Sequence, residues 1–257
     1  MEIYKINLPY AETIRIVPFG DWHVGNINAQ KDKIDEYVEW IKKEKNCYWI
    51  GMGDYADNII PLWEENRYNI SEIDKDFQTM DDQWNWIEKR IAKISDKCLG
   101  LHTGNHDCSF IQMKGGHDYV KTLCQKYNLK YLGWNTFLLI EIGDKMSFTI
   151  CSSHGSSSSR YPGTKLNALM NWAKDFDADI YLYAHTHTAT ALRTIQHWSD
   201  GENLCESKKV YCLTGGFLKG YQQGTTSYIE RKNLSPLNIG VVKISVYPDK
   251  NDIHAEA

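Results

Sequence analysis

The sequence predicts an α/β fold, and two observations carry that class. Apolar runs of strand length alternate with amphipathic stretches of helical period along most of the 257 residues, the pattern of strands and helices packed in layers. Clusters of Asp, Asn and His recur directly after those runs, at the carboxyl ends of the predicted strands, where α/β proteins gather their ligands. With 42% hydrophobic and 24% charged residues the composition fits a globular chain rather than a disordered or fibrous one. The length suits one large domain over residues 1–257.

The first strand is read over residues 14–18 and ends at F-G-D-W-H-V-G. If extended geometry persisted past Pro18, Asp21 and His23 would project to one side, as two ligands reaching one metal ion. Residues 32–43 carry Ile34, Tyr37, Val38 and Ile41 at helical spacing, so a helix with one buried face follows. A short apolar strand over 47–51 leads into G-M-G-D-Y-A-D. Residues 58–75 fit neither period and are read either as a loop at the rim of a site or as a structural excursion. Helix returns over 76–94, with Trp84, Ile87, Ile91 and Ile94 on one stripe, and a strand over 98–103 ends in G-N-H-D. A helix over 117–127 precedes two strands, 135–142 and 146–152, joined by the Gly143-Asp144 turn. The second of these runs into S-S-H-G-S-S-S-S-R-Y-P-G. A helix over 164–174, a strand over 180–184 ending in H-T-H, and late strands over 210–214 and 240–247 complete the pattern.

A formal net charge of −4 argues against a protein that coats nucleic acid through a wide basic face. The lysines at 31, 33, 42, 43 and 45, and at 114, 121, 126 and 130, read as solvated helix faces. The 7 cysteines are odd in number, scattered and without a C-x-x-C pair, which argues against a disulfide framework and a thiolate zinc site. The amino terminus lacks the basic start and apolar core of a signal peptide, and no apolar run approaches the ~20 residues that cross a bilayer. A reducing cytoplasm is the expected location, with no membrane partner.

Each polar cluster has a plain structural reading when taken singly. Asp21 with His23 can cap a strand end, Gly53-Asp54 can turn from strand to helix, and His185-Thr186-His187 can be a polar turn. Together, in this order and without cysteine, they read as oxygen and imidazole ligands of a metal site. The order D-x-H, G-D, G-N-H-D, H and H-x-H resembles the calcineurin-like metallophosphoesterases over about residues 14–188. The resemblance implies a four-layer α-β-β-α sandwich of two mixed β-sheets flanked by helices, with two metal ions at the strand ends. Ala184 stands where that family usually has glycine, and is small enough to serve.

Carried over by position, Asp21, His23, Asp54 and His187 would hold the first metal, and Asp54, Asn105, His154 and His185 the second. The chemistry agrees. Asp54 suits the bridge, because a carboxylate can turn one oxygen to each cation and offset their repulsion. Asn105 adds an amide oxygen without adding charge. Mixed N and O ligation suits two divalent cations such as Mn²⁺ in the first place, or Fe, Zn²⁺ or Ni²⁺, better than Mg²⁺ or Ca²⁺. Cations roughly 3.5 to 4 Å apart can share a water, lower its pKa and stabilise charge on a phosphate during in-line attack by the bridging hydroxide. By resemblance His106 donates a hydrogen bond or a proton to the substrate or leaving group. Asp107 is read either as orienting that imidazole or as capping the next turn.

On substrate, G-D-Y-A-D-N is similar to the Gly-Asp-x-x-Asp segment of protein serine/threonine phosphatases. Asn58 and Thr103, however, stand where those enzymes place arginines. D-W-H-V-G with G-N-H-D is nearer to the exonuclease branch of the Mre11 and SbcD type, although this chain is shorter than those proteins. The serine-rich loop would offer amide and hydroxyl donors, with Arg160 either clamping a phosphate oxygen or lying on a flexible surface loop. Trp22 and Tyr55, beside ligands, either pack against the core or stack on a base. His102 reads as a core or supporting residue. The expected function is hydrolysis of phosphodiester bonds in DNA, RNA or nucleotides; the alternatives are a phosphomonoesterase of the same fold and a non-catalytic binding scaffold.

Overall fold

The computed structural model describes residues 1–58, 72–108, 116–157, 159–224 and 226–257. Most of the aperiodic stretch expected at the site rim, residues 59–71, lies outside that range. One sheet is built around the first three strands anticipated above, β2 (Ile14–Phe19), β3 (Cys47–Gly51) and β4 (Cys98–His102), and the short unanticipated β5 (Tyr131–Gly133) runs parallel beside them. At its β2 edge it adds β12 (Lys243–Tyr247) and β13 (Asp252–Glu256), both reached by antiparallel pairing. The other sheet takes the order β1 (Glu2–Leu8), β6 (Asn135–Ile142), β7 (Met146–Ser153), β8 (Ile180–Tyr183), β10 (Leu204–Gly216). Both β9 (Ala189–Ser199) and β11 (Gly240–Val241) pair with β10.

The alternation of side chains along these strands explains why the sheets stack. Ile14 and Ile16 of β2 meet Leu138, Ile140, Ile150, Ile180 and Leu182 of the other sheet in one apolar core. The opposite face of the β2 sheet presents Val17, Phe19, Trp49 and Leu101 to the helices. Those helices are α1 (Lys31–Lys43), α2 (Met80–Ile91) and α3 (Tyr119–Lys126), which contribute Ile34, Val38, Ile41, Ile87 and Leu123 to that packing. Leu169 and Ala173 of α4 (Pro162–Ala173) cover the outer face of the other sheet against Cys151, Tyr181 and Leu213. The result is the four-layer α-β-β-α sandwich, with α5 (Tyr228–Arg231) a single turn ahead of β11.

Local chemistry sets several element ends. Helix α2 starts later than the expected residue 76, because Thr79 and Asp82 close a reciprocal capping box. The expected helix over 76–94 therefore begins at Met80, and its last turn tightens into a 3-10 segment over Ala92–Lys97. The late strand expected over 240–247 is two strands, one in each sheet. No helix among the described residues is long and apolar enough to cross a membrane.

Candidate metal centre

Five strands deliver the polar clusters to one place. Asp21 and His23 follow β2, Asp54 follows β3, and Asn105 and His106 follow β4; His154 follows β7, and His185 and His187 follow β8. The parallel runs β2-β3-β4 and β7-β8 each end side by side, so the loops of both sheets converge. The strand alternation expected to aim Asp21 and His23 does not operate, since β2 stops at Phe19. Both residues instead sit at positive φ, 51° and 50°, as do Asp54 at 50°, His185 at 63° and His187 at 52°. Left-handed backbone is costly for residues with a Cβ, and strain of this kind gathers where the surrounding structure enforces a functional geometry. Backbone bonds supply the enforcement: Asp21 N–H donates to Gly53 O at 2.8 Å, and His23 N–H to Asp54 O at 3.1 Å.

Ligand-type atoms of Asp21, His23 and His187 lie within 4.8 Å of one another, and so do those of Asp54, His154 and His185. Asn105 joins the second group, its Oδ1 3.1 Å from His154 Nε2. The imidazoles are held in definite orientations. His23 donates Nδ1–H to Asp57 Oδ1 at 2.9 Å, and His154 donates Nδ1–H to Met52 O at 2.7 Å. Each therefore turns its Nε2 inward, the orientation that outer carboxylates and carbonyls impose on metal-binding histidines.

The donor set fits a pair of cations. His23 Nε2 and His187 Nε2 face each other at 3.1 Å, the spacing of two nitrogens each about 2.1 Å from a shared cation. Asp21 Oδ1 is buried without a hydrogen-bond partner, 3.6 Å from His187 Nε2. Burial lifts the Asp21 carboxyl well above its usual range, and the Asp54 charge adds to the lift. Burial also keeps His187 well below the usual histidine range, and holds His185 near 4. Neutral imidazoles beside a crowded pair of carboxylates are what divalent cations would relieve.

Asp54 is the junction. Its Oδ2 lies 3.7 Å from His23 Nε2 and 3.2 Å from His154 Nε2. Its Oδ1 accepts the backbone N–H of His106 at 2.8 Å. One oxygen, rather than one on each side, thus faces both groups. Two glycines make room for this: a Cβ on Gly104 would fall 2.1 Å from Asp54 Oδ1, and one on Gly53 2.8 Å from His154 Nδ1.

The calcineurin-like phosphoesterase family model matches residues 14–189. The chain belongs to that family. Among solved structures it is similar to vacuolar protein sorting 29 from Cryptosporidium parvum, at 12% identity over 96% of this chain and 98% of that one, with a TM-score of 0.47. It is also similar to Vps29 complexed with zinc from Entamoeba histolytica, at 13% identity over 95% and 97% of the two chains and a TM-score of 0.42. A metallophosphoesterase from Sphaerobacter thermophilus gives 12% identity over 95% and 89%, with a TM-score of 0.42. No curated protein matches the chain.

Around the candidate ligands, one of the two readings of Asp107 holds. Asp107 does not serve as the acid that meets the His106 ring. Its Oδ2 accepts the N–H groups of Asp54 and Gly104 at 2.7 and 2.9 Å, and its Oδ1 those of Tyr55 and Ala56 at 3.1 and 3.3 Å. It caps the helical turn at 105–108 and clamps the Asp54 turn to it. The acid that meets His106 is Asp57, whose Oδ1 lies 3.2 Å from His106 Nδ1 as well as 2.9 Å from His23 Nδ1. Burial alone would lower the His106 pKa, but the Asp54 charge and the Asp57 bonds hold it up at about 10. Spacing alone did not single out Asp57, although the G-D-Y-A-D segment contains it.

Trp22 and Tyr55 are fully buried, stacked edge to face at 5.4 Å, so they pack the core rather than offer a platform for a base. His102 is buried between Gly133 O and Ser152 Oγ, each 2.8 Å away. Arg160 is exposed on the loop after His154 and forms no ion pair among the described residues.

Proposed function

We propose that this chain hydrolyses phosphodiester bonds in nucleic acid or nucleotides with two divalent cations. The observation that carries the reading is the pair of ligand groups joined at Asp54 Oδ2, with His106 beside them. Asp21, His23, Asp54 and His187 would hold one cation, and Asp54, Asn105, His154 and His185 the other. Manganese is the first candidate, before Fe, Zn²⁺ or Ni²⁺. Bound there, the cations supply the Lewis-acid charge that activates water and offsets charge gathering on the phosphate.

The side chains do the remaining work. His106, fixed through Nδ1 by Asp57, donates a hydrogen bond or proton to the leaving oxygen. Asp107 keeps the Asp54 turn rigid, and Arg160 meets a phosphate oxygen from the serine-rich loop. Diester specificity is supported by charge. Asn58 and Thr103 are buried and neutral, committed to Trp84 Nε1 and Cys108 Sγ. A diester carries one negative charge and a monoester at neutral pH nearly two, so a site without cationic side chains at those positions favours the diester. The D-W-H-V-G and G-N-H-D likeness to the exonuclease branch supports a nucleic acid or nucleotide.

Rates with Mn²⁺ on bis-p-nitrophenyl phosphate and on p-nitrophenyl phosphate, followed by single- and double-stranded DNA, test the reading. The expected result is faster, chelator-sensitive cleavage of the diester. Preference for the monoester would make the chain a phosphomonoesterase. Inactivity on both with Mn²⁺, Fe²⁺, Zn²⁺ and Ni²⁺ would leave a binding scaffold.

A further inference from the structure

Lys165 is a buried cation that the reaction does not use. It lies in the first half of α4 with 8% of its surface exposed, and it forms no ion pair among the described residues. Burial lowers its pKa. Burying an ammonium without a carboxylate is expensive, and an apolar side chain of similar length would pack there at less cost. The compensation is local. Nζ donates to Thr186 O at 2.8 Å and to Thr188 Oγ1 at 2.9 Å.

Those acceptors belong to the loop that carries the last two candidate ligands. Thr186 separates His185, which belongs to the Asp54–His154 group, from His187, which belongs to the Asp21–His23 group. Both histidines have positive φ, and Thr186 is itself buried. The loop is tied on its other sides: His185 N–H donates to Asp21 Oδ2 at 3.0 Å, Thr186 N–H to Ala184 O at 2.7 Å, and Gly215 N–H to Thr188 O at 3.1 Å. The carbonyl of Thr186 fixes the peptide plane leading into His187, and Lys165 is the charged group that holds that carbonyl.

We propose that Lys165 is a positioning residue: its ammonium locks the Thr186 peptide so that His185 and His187 point to two different cations. The proposal rests on the two-cation reading of the site. Without the ammonium, the Thr186 carbonyl between two left-handed residues keeps only the longer bond from Thr188 Oγ1, at 3.3 Å, and the peptide can rotate toward a less strained conformation.

The test is calorimetric titration of Mn²⁺ into the full chain and into Lys165→Met and Lys165→Arg, with each protein also melted in EDTA. In Lys165→Met the affinity for Mn²⁺ is expected to fall at least about tenfold, the scale of losses when groups supporting metal ligands are removed. Its melting temperature in EDTA is expected to stay at the parent value, and the exchange-coupled spin-resonance signal of a manganese pair to give way to uncoupled ions. Lys165→Arg, which keeps a donor, is expected to retain more affinity than Lys165→Met. Parent-like affinity in Lys165→Met overturns the proposal, and so does a drop in EDTA melting temperature that accounts for the lost affinity, because that marks a packing role. A parent chain that binds none of Mn²⁺, Fe²⁺, Zn²⁺ and Ni²⁺ overturns the two-cation reading itself, a result distinct from either.

Discussion

Asp57 places one carboxylate oxygen between two imidazoles, 2.9 Å from His23 and 3.2 Å from His106. It can therefore affect both cation binding and proton delivery, and the two are separable by a double-variant cycle. Asp57→Asn keeps an acceptor for His23 but removes the charge that supports His106, so turnover is expected to fall about 10- to 100-fold with bound manganese retained. His106→Ala is expected to cost about 10²- to 10⁴-fold with metal also retained, whereas Asp54→Ala loses the metal. If Asp57 acts through His106, the double variant is no slower than His106→Ala alone. Multiplicative losses in kcat, with manganese content measured alongside, would assign Asp57 a separate role.

His102 gives a stability test at the same scale. Burial lowers its pKa to about 4. The unfolded chain, with an ordinary histidine near about 6.5, takes up a proton first as the pH falls. Its contribution to stability is full above that value and is lost progressively down to about pH 4. His102→Gln cannot take up this proton, so between neutral pH and about pH 4.5 it is expected to lose less stability than the parent, by roughly 2 to 3 kcal/mol. Urea unfolding at both pH values measures the difference, and equal acid losses in the two proteins would refute it.

Among the elements, the turn after β3 depends most on a single side chain. Four backbone N–H groups converge on Asp107, and removal of the carboxylate would leave them buried and unpaired. Asp107→Ala is expected to cost about 3 kcal/mol or more and to release metal, since the Asp54 turn loses its clamp. A folded variant with parent stability and metal content would contradict this. The same turn shows what a linear pattern can and cannot reveal. Strands β2, β3, β4, β7 and β8 were legible because their apolar runs are buried, and the candidate ligands were legible because they follow those runs. Strand β9 was missed because most of its residues are partly or fully exposed, with polar and apolar types on both faces. The left-handed conformations of Asp21, His23, Asp54, His185 and His187 were missed because neighbouring loops impose them, against the preference of histidine. Asp107 in G-N-H-D left two readings open, orienting His106 or capping the next turn, because the backbone groups that decide for capping do not show in spacing.

For the whole molecule, the origin of the candidate ligands matters more than their number. Asp21, His23, Asp54 and Asn105 follow strands of one sheet, and His154, His185 and His187 follow strands of the other. The two sheets also meet through a continuous apolar core and through directional bonds near the site, His154 Nδ1–H to Met52 O and His185 N–H to Asp21 Oδ2. Cations gripped from both sides would staple the sheets at their strand ends. Because the unfolded chain cannot present such a site, binding adds directly to folding stability, by about 2.7 kcal/mol for each ion held at 100 times its dissociation constant. For a chain of this size that is roughly 5 to 10 °C in melting temperature per ion. Scanning calorimetry of the parent with EDTA and with Mn²⁺ should show the rise. His154→Ala, which removes a ligand of one cation, should keep about half of it, and Asp54→Ala, which faces both, should keep little. The order matters more than the size: if Asp54→Ala kept more of the manganese effect than His154→Ala, Asp54 would not join the two sites, and the sheets would be pinned by one cation at most.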